Sequence, residues 1–477
     1  MTLARLVLPA LRSSTAGDFD HEQARIAEAL AFGVGGFIIF GGAPDTVARL
    51  TTELVQQAGR PLLIGSDLER GAGQQFEGLT EFPPPRALAA LDDLSAVRIA
   101  ASVTALEARS IGINWVFAPD ADLDILPDNP IVQTRSFGED PARVAACVGA
   151  WVEGCQATGA LASAKHYPGH GRTTTDSHAG LPVVTASART LAETDALPFK
   201  AAIAANVASV MTAHIAYPAL DPSGVPATRS PVVLGALRRN LGFGGLIVTD
   251  ALIMEGATAD RSEAEGVVDA IAAGVDILLY PNDLATVVAA LDTAAANGRL
   301  TADRAADALD RYARALSITE EPLPAAATVP AGEHSAAMAD RLLELSLAGG
   351  PALRAPIELV TIDDDIGGPY PASPSDWTAR ALAAAGIPSG RGGSRILLVF
   401  AEPRGWKGRA GLGEASLKAL PDHHDADLIV LFAHPRIQSQ LPPRVPVLLA
   451  WHRQRLMQDA VARWISRRVT PAAARPG

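Results

Sequence analysis

Short runs of β-branched and apolar residues alternate with longer amphipathic stretches through the first three hundred positions. The apolar runs at 5–9, 36–40, 61–66, 113–118, 161–166, 209–214, 245–249 and 275–280 predict strands. Helical periodicity falls between them, near 19–33, 43–58, 94–110, 140–158, 188–205, 230–240, 261–273 and 283–297. Eight nearly continuous apolar strands, each followed by a helix, are what a closed parallel barrel demands. A doubly wound open sheet is the rival, but eight repeats and the polar residues at the strand ends favour closure. The predicted fold class is therefore α/β, a (β/α)8 TIM barrel followed by a smaller C-terminal α/β domain.

The pattern then changes. Helical patterns at 301–316 and 333–347 flank a Pro/Ala-rich joint at 322–332. From 351 a second alternation begins, with strands at 357–362, 396–401, 428–433 and 445–450 and helices near 375–386 and 453–467. The expected division is a barrel over 1–320, a linker and helix over 321–350 and a small α/β domain over 351–470, with a frayed tail from 470.

Composition removes several classes. The 48% hydrophobic content supports a large core, and the net charge of −12 argues against a nucleic-acid partner. The most apolar stretch, 29–44, is broken by five glycines and is too short to span a bilayer, so no membrane partner is expected. The first twelve residues lack the long apolar segment of a secretory signal, which points to a cytoplasmic protein. Cys147 and Cys155 sit eight apart in one helical pattern and read as buried thiols.

Polar residues gather just past the strands: Asp67 and Glu69, Asp120, Asp122 and Arg135, Lys165 and His166, Thr212 and His214, Asp250, and Asn282 with Asp283. That is the active-site end of a barrel. Asp283 is expected to cap the following helix, and Asp120 reads equally as a cap or a site residue. The densest window is 165–178, which holds three of the ten histidines and one of only four lysines, spaced by Pro168, Gly169 and Gly171. Asp176 stands two residues from His178, close enough to fix its tautomer and stabilise its charged form, as an acid/base requires. Asp250 follows the apolar run 245–249 with no basic neighbour in sequence. A carboxylate nucleophile and a separate proton donor are the two parts a retaining glycosidase uses. A zinc site built from His166, His170, Asp176 and His178 is the metal alternative. Lys165 would repel the cation and the spacing lacks the usual i, i+4 or H-x-H arrangement, so no metal or cofactor is expected.

The string Lys165-His166-Tyr167-Pro168-Gly169-His170-Gly171, with Asp176-Ser177-His178 and Leu181-Pro182, resembles the signature of glycoside hydrolase family 3, in its β-N-acetylglucosaminidase branch. Further agreement lies in 135–141, Met211-Thr212-Ala213-His214, 226–231, 241–252 and 273–279, so the likeness runs in order across about 30–320. The resemblance implies Asp250 as nucleophile, His178 as acid/base with Asp176 as its partner, and sugar contacts from Asp67, Arg135, Lys165, His166 and Met211. It implies an enzyme that releases terminal N-acetylglucosamine, in bacteria from cell-wall fragments, with a small sugar as its only expected partner. The glycine-flanked loop from 169 is then expected to carry Asp176 and His178 as a mobile arm. One departure stands out: where the branch reads Asp-x-Glu-Gly-Gly-Arg, this chain has Asp67-Leu68-Glu69-Arg70-Gly71-Ala72. The rivals are a phosphorylase using the same histidine, a β-glucosidase or xylosidase, a metal-dependent hydrolase, and a carbohydrate-binding protein without turnover.

Overall fold

The computed structural model describes residues 2–174, 180–258, 261–320, 331–365, 372–402 and 407–470. They fall into two compact units. The first is Met1–Thr80, Leu94–Leu126 and Ser136–Val329; the second is Glu81–Asp93, Pro127–Arg135 and Pro330–Gly477. Two segments from within the first 320 residues thus belong with the C-terminal unit.

The first unit is a barrel of parallel strands. In chain order these are β1 Val7–Leu8, β2 Ala10–Arg12, β3 Gly36–Phe40, β4 Leu63–Ser66, β5 Trp115–Val116, β6 Leu161–Tyr167, β7 Ser209–Thr212, β8 Leu246–Thr249 and β9 Leu278–Leu279. β2 to β8 form one sheet in sequence order. β1 pairs with β9, and Val248 bridges Ile277, so the sheet closes on itself. The sequence pattern places the first strand over 5–9, but Leu3–Leu6 form a 3-10 turn and the strand position runs on to Arg12, past the expected end, interrupted at Pro9, which lacks the N–H to continue a ladder. β1 bonds to β9 and β2 to β3. Eight strand positions result, as the alternation predicts.

The interior is packed with side chains. Trp115 lies edge-on to Phe117 at 5.2 Å, and its indole N–H donates to Ser209 Oγ at 2.9 Å. The helices outside follow their apolar stripes. In Pro44–Ala58 the buried residues Val47, Leu50, Thr51 and Leu54 recur at helical spacing, with proline at the first turn and Gly59 left-handed at the end. Full burial of such an aliphatic side chain contributes roughly 1.5–3 kcal/mol. Asp283 caps Leu284–Ala296 by accepting from Thr286 N, as expected. Cys147 and Cys155 are buried on Pro141–Gln156 and form no disulfide with each other, and burial raises the Cys155 thiol far above its ordinary range.

Two predicted helices depart from a continuous α-helix. The 188–205 stretch is two helices, Ala188–Glu193 and Ala196–Ala204, interrupted where Asp195 turns inward to bind Arg172. The 230–240 stretch ends in a wide turn over Ala236–Asn240.

In the second unit, β11 Ile357–Asp363, β12 Ser394–Ala401, β13 Leu428–Ala433 and β14 Val447–Leu449 form a parallel sheet in that order. Phe400 and Phe432 stack across it at 4.5 Å. A separate ribbon joins β10 Leu353–Arg354 to β15 Val469–Thr470, so Thr470, expected to begin a frayed tail, is hydrogen-bonded in a strand. The charges at the sheet's C-terminal edge pair with one another: Arg453 meets Asp363 at 2.9 Å and Asp365 at 2.7 Å, and Lys407 also binds Asp365. Among the described residues, no helix of the chain is long and apolar enough to cross a membrane.

Candidate active site

The C-terminal ends of the barrel strands collect the charged residues. Lys165, near the end of β6, is almost fully buried and binds Asp67 Oδ1 at 2.6 Å and Glu69 Oε1 at 2.9 Å, both beyond β4. A lysine this deep needs paired carboxylates to remain charged. The sequence pattern marks Glu69 only as a strand-end residue; its position completes that pairing.

Beyond β5 the alternating carboxylates Asp120, Asp122 and Asp124 are all buried. Asp122 is the centre of the group. Its Oδ2 lies 2.7 Å from His166 Nδ1, and its Oδ1 accepts the backbone N–H of His166 at 3.2 Å and of His170 at 2.6 Å. Asp120 Oδ1 in turn accepts the N–H of Asp122 at 2.9 Å, so it serves this group and does not cap a helix. The other ring nitrogen of His166, Nε2, lies 3.9 Å from Asp250 Oδ2.

Asp250 follows β8. Its Oδ1 accepts Ala251 N–H at 2.7 Å, and its side chain keeps 19% of its surface exposed, enough for a ligand to reach. His214, past the end of β7, spans Thr228 Oγ1 at 2.9 Å and the Ala251 carbonyl at 3.3 Å, which fixes the residue after Asp250. Burial lowers the His214 pKa below its ordinary value, against the pull of the Asp250 charge. Met211 is buried on β7, in register with Val248 of β8. Arg135 ends the short turn Gln133–Arg135 and belongs to the second unit.

The root of the histidine-rich loop is firmly held. Tyr217 donates its hydroxyl to the Gly169 carbonyl at 2.7 Å, and Arg172 Nε binds Asp195 at 2.9 Å. Gly171 is backed against Leu123: a Cβ there would lie 1.9 Å from the Leu123 carbonyl oxygen. His170 is fully enclosed, with Nδ1 2.6 Å from Thr173 Oγ1. Burial pushes its pKa from 6.5 down to about 4, Asp122 opposing and His166 assisting, so its ring is neutral at pH 7. Asp176 and His178 lie outside the described residues.

Asp120, Asp122 and His166 bring possible metal-donor atoms within 4.8 Å of one another. Hydrogen bonds among themselves and to the backbone already engage Asp122 and His166 Nδ1, and no role for a cation follows from them. What the cluster offers instead is a strongly anionic pocket. Asp67 and Glu69 pair with Lys165, while Asp122 and Asp250 lie on either side of the His166 ring, and a carboxylate-rich field favours positive charge developing on a bound ligand.

Residues 9–315 match the model for the N-terminal domain of glycosyl hydrolase family 3. A β-N-acetylglucosaminidase/β-glucosidase of Cellulomonas fimi is 36% identical over 288 residues, 58% of this chain and 51% of that protein. A β-hexosaminidase of Thiobacillus denitrificans is 35% identical over 293 residues, 59% of this chain and 79% of that one. The chain spans only about half the length of the first two curated relatives it matches. Among solved structures, a family 3 β-N-acetylglucosaminidase from Paenibacillus sp. str. FPU-7 superposes with a TM-score of 0.82 at 26% identity, covering 98% of this chain and 96% of that one.

Proposed function

The chain belongs to glycoside hydrolase family 3, and from that premise we propose that it is a retaining exo-β-N-acetylglucosaminidase. The observation that carries the reading is the Asp250 carboxylate at the mouth of the barrel, part-exposed, facing His166 Nε2 across 3.9 Å within a ring of buried carboxylates. The names of the relatives above support the choice of sugar.

The chemistry needs two displacements. In the first, Asp250 attacks the anomeric carbon while His178, protonated and paired with Asp176, gives its proton to the departing oxygen. The C–O bond to the aglycone breaks, and the sugar is left as an ester of Asp250. In the second, neutral His178 takes a proton from water, whose oxygen attacks the same carbon and releases the carboxylate. The anionic pocket stabilises the oxocarbenium character of both transition states. Asp67, Lys165 and His166 would bind sugar hydroxyls, with Arg135 and Met211 as further contacts. The ion pairs of Lys165 support its part by holding the Asp67 carboxylate in place. The substrates proposed are soluble peptidoglycan-derived fragments, and a cytoplasmic location goes with them.

Replacing Asp250 by asparagine tests the reading on an aryl N-acetyl-β-glucosaminide. Turnover should fall on the order of 10⁴-fold or more, since the covalent step is lost. Near-normal turnover of D250N, or a preference for the sugar without its acetamido group, would overturn the assignment.

A further inference from the structure

Asp122 has no role in the chemistry just described, yet it contacts the His166 ring and two backbone N–H groups. We infer that Asp122 is a positioning residue that selects the ring tautomer of His166 and thereby sets which nitrogen, donor or acceptor, faces Asp250. An ionised carboxylate is only an acceptor, and Asp122 spends Oδ1 on the two backbone N–H groups of His166 and His170. The contact of 2.7 Å between Oδ2 and His166 Nδ1 therefore requires the proton on Nδ1. In the neutral ring the lone pair then sits on Nε2, the nitrogen 3.9 Å from Asp250. His166 is thus set as an acceptor for a ligand hydroxyl whose oxygen lies near the nucleophile.

Three neighbouring groups are engaged in contacts of their own. Lys165 is engaged by Asp67 and Glu69, and the His170 ring stands edge-on at 5.9 Å with its own Nδ1 turned to Thr173. Asp120 fixes the backbone of Asp122. The same carboxylate also ties the end of β6 to the root of the histidine-rich loop, through His166 and His170.

Asp122→Asn separates the two duties. The asparagine Oδ1 can keep both backbone N–H bonds, which leaves its NH2 facing His166 Nδ1. Nδ1 must then accept, and the proton moves to Nε2. The tautomer is read directly from the imidazole ¹⁵N shifts of the full-length protein at neutral pH, with His166 assigned by the signals lost in His166→Gln. The inference expects Nδ1–H in the native protein and Nε2–H in D122N. It also expects kcat/KM to fall on the order of 10²-fold, comparable to losing one aligned partner in an active site. Nδ1 unprotonated in the native protein would overturn the inference whatever the activity, and this holds even should D122N not fold. A flipped tautomer with unchanged kcat/KM would overturn the positioning role.

The effect on turnover rests on the glycosidase reading, but the tautomer does not. Native protein that shows Nδ1–H but cleaves no N-acetylglucosaminide would sink that reading and leave the tautomer assignment standing.

Discussion

The enclosed His170 ties stability to pH in a way that can be calculated. An unfolded chain binds a proton to this ring below about pH 6.5, whereas the folded protein holds it neutral down to about pH 4. Between those values the unfolded state carries the extra proton. The stabilisation is therefore complete above pH 6.5 and is lost progressively as pH falls toward 4. A 2.5-unit difference amounts to about 3 kcal/mol in full; roughly 2 kcal/mol of it is gone at pH 5. No discount for solvent applies, because the ring is fully enclosed. Thr173 Oγ1 donates to the His170 carbonyl at 3.0 Å and so accepts from Nδ1; the comparison variant is His170→Asn, whose side-chain N–H can replace that donor without titrating. Two compact units make a single melting curve a poor measure, so the assay is hydrogen exchange of peptides across 161–174, corrected for intrinsic rates. Native protein should lose about 2 kcal/mol more protection than the variant between pH 7 and 5. Parallel losses in the two proteins, within about 0.5 kcal/mol, would refute the argument, since the neighbouring carboxylates are common to both.

Other outcomes follow from the same contacts. Lys165→Met strands Glu69 and Asp67 without their cation and should cost about 3 kcal/mol of barrel stability, toward the low end for a broken buried pair because Asp67 is one-third exposed; denaturant titration with a barrel-located probe checks this. Gly171→Ala drives a methyl into the Leu123 carbonyl and should destabilise the loop root by about 1–3 kcal/mol, read as exchange in 168–174, with a fall in kcat/KM. Neither thiol should react with Ellman's reagent in the native protein, and both should react once it is unfolded, because Cys147 and Cys155 are buried and burial holds the Cys155 thiol protonated.

The parts of the fold legible in the sequence are those whose signal is local. Continuous apolar runs mark β3, β4, β6 and β13 because strands buried on both faces have no polar side to alternate with. The Asp283 cap is legible because its acceptor and donor lie three residues apart. The ribbon between β10 and β15 is not, since its partners are more than a hundred residues apart and each is two residues long. The same limit applies at the site. The polar ends of the strands can be listed from sequence alone, and Asp67, Lys165, His166 and Asp250 are indeed gathered at one mouth. Yet nothing in the local pattern distinguishes Asp122 from Asp120 or Asp124. Its importance comes from two backbone N–H groups 44 and 48 residues further on, brought under it by the pairing of β5 with β6.

The recruitment of 81–93 and 127–135 into the second unit has a practical consequence for dissecting this protein. The chain passes from one unit to the other at 80/81, 93/94, 126/127, 135/136 and 329/330, five crossings in all. A domain normally cut free at one linker is here threaded back and forth, so no single protease nick or truncation yields either unit whole. Ending the chain at 329 would take away the partners of the early segments: Gln454, whose amide binds the Phe82 carbonyl at 2.6 Å, Leu456, whose N–H meets Glu81 at 2.9 Å, and Arg341, which reaches the Leu91 carbonyl. The Phe82 carbonyl and the Glu81 carboxylate would lose these partners. A separately expressed barrel would thus carry segments whose hydrogen-bonding partners have been removed. Each unit is best studied by point substitution within the full chain.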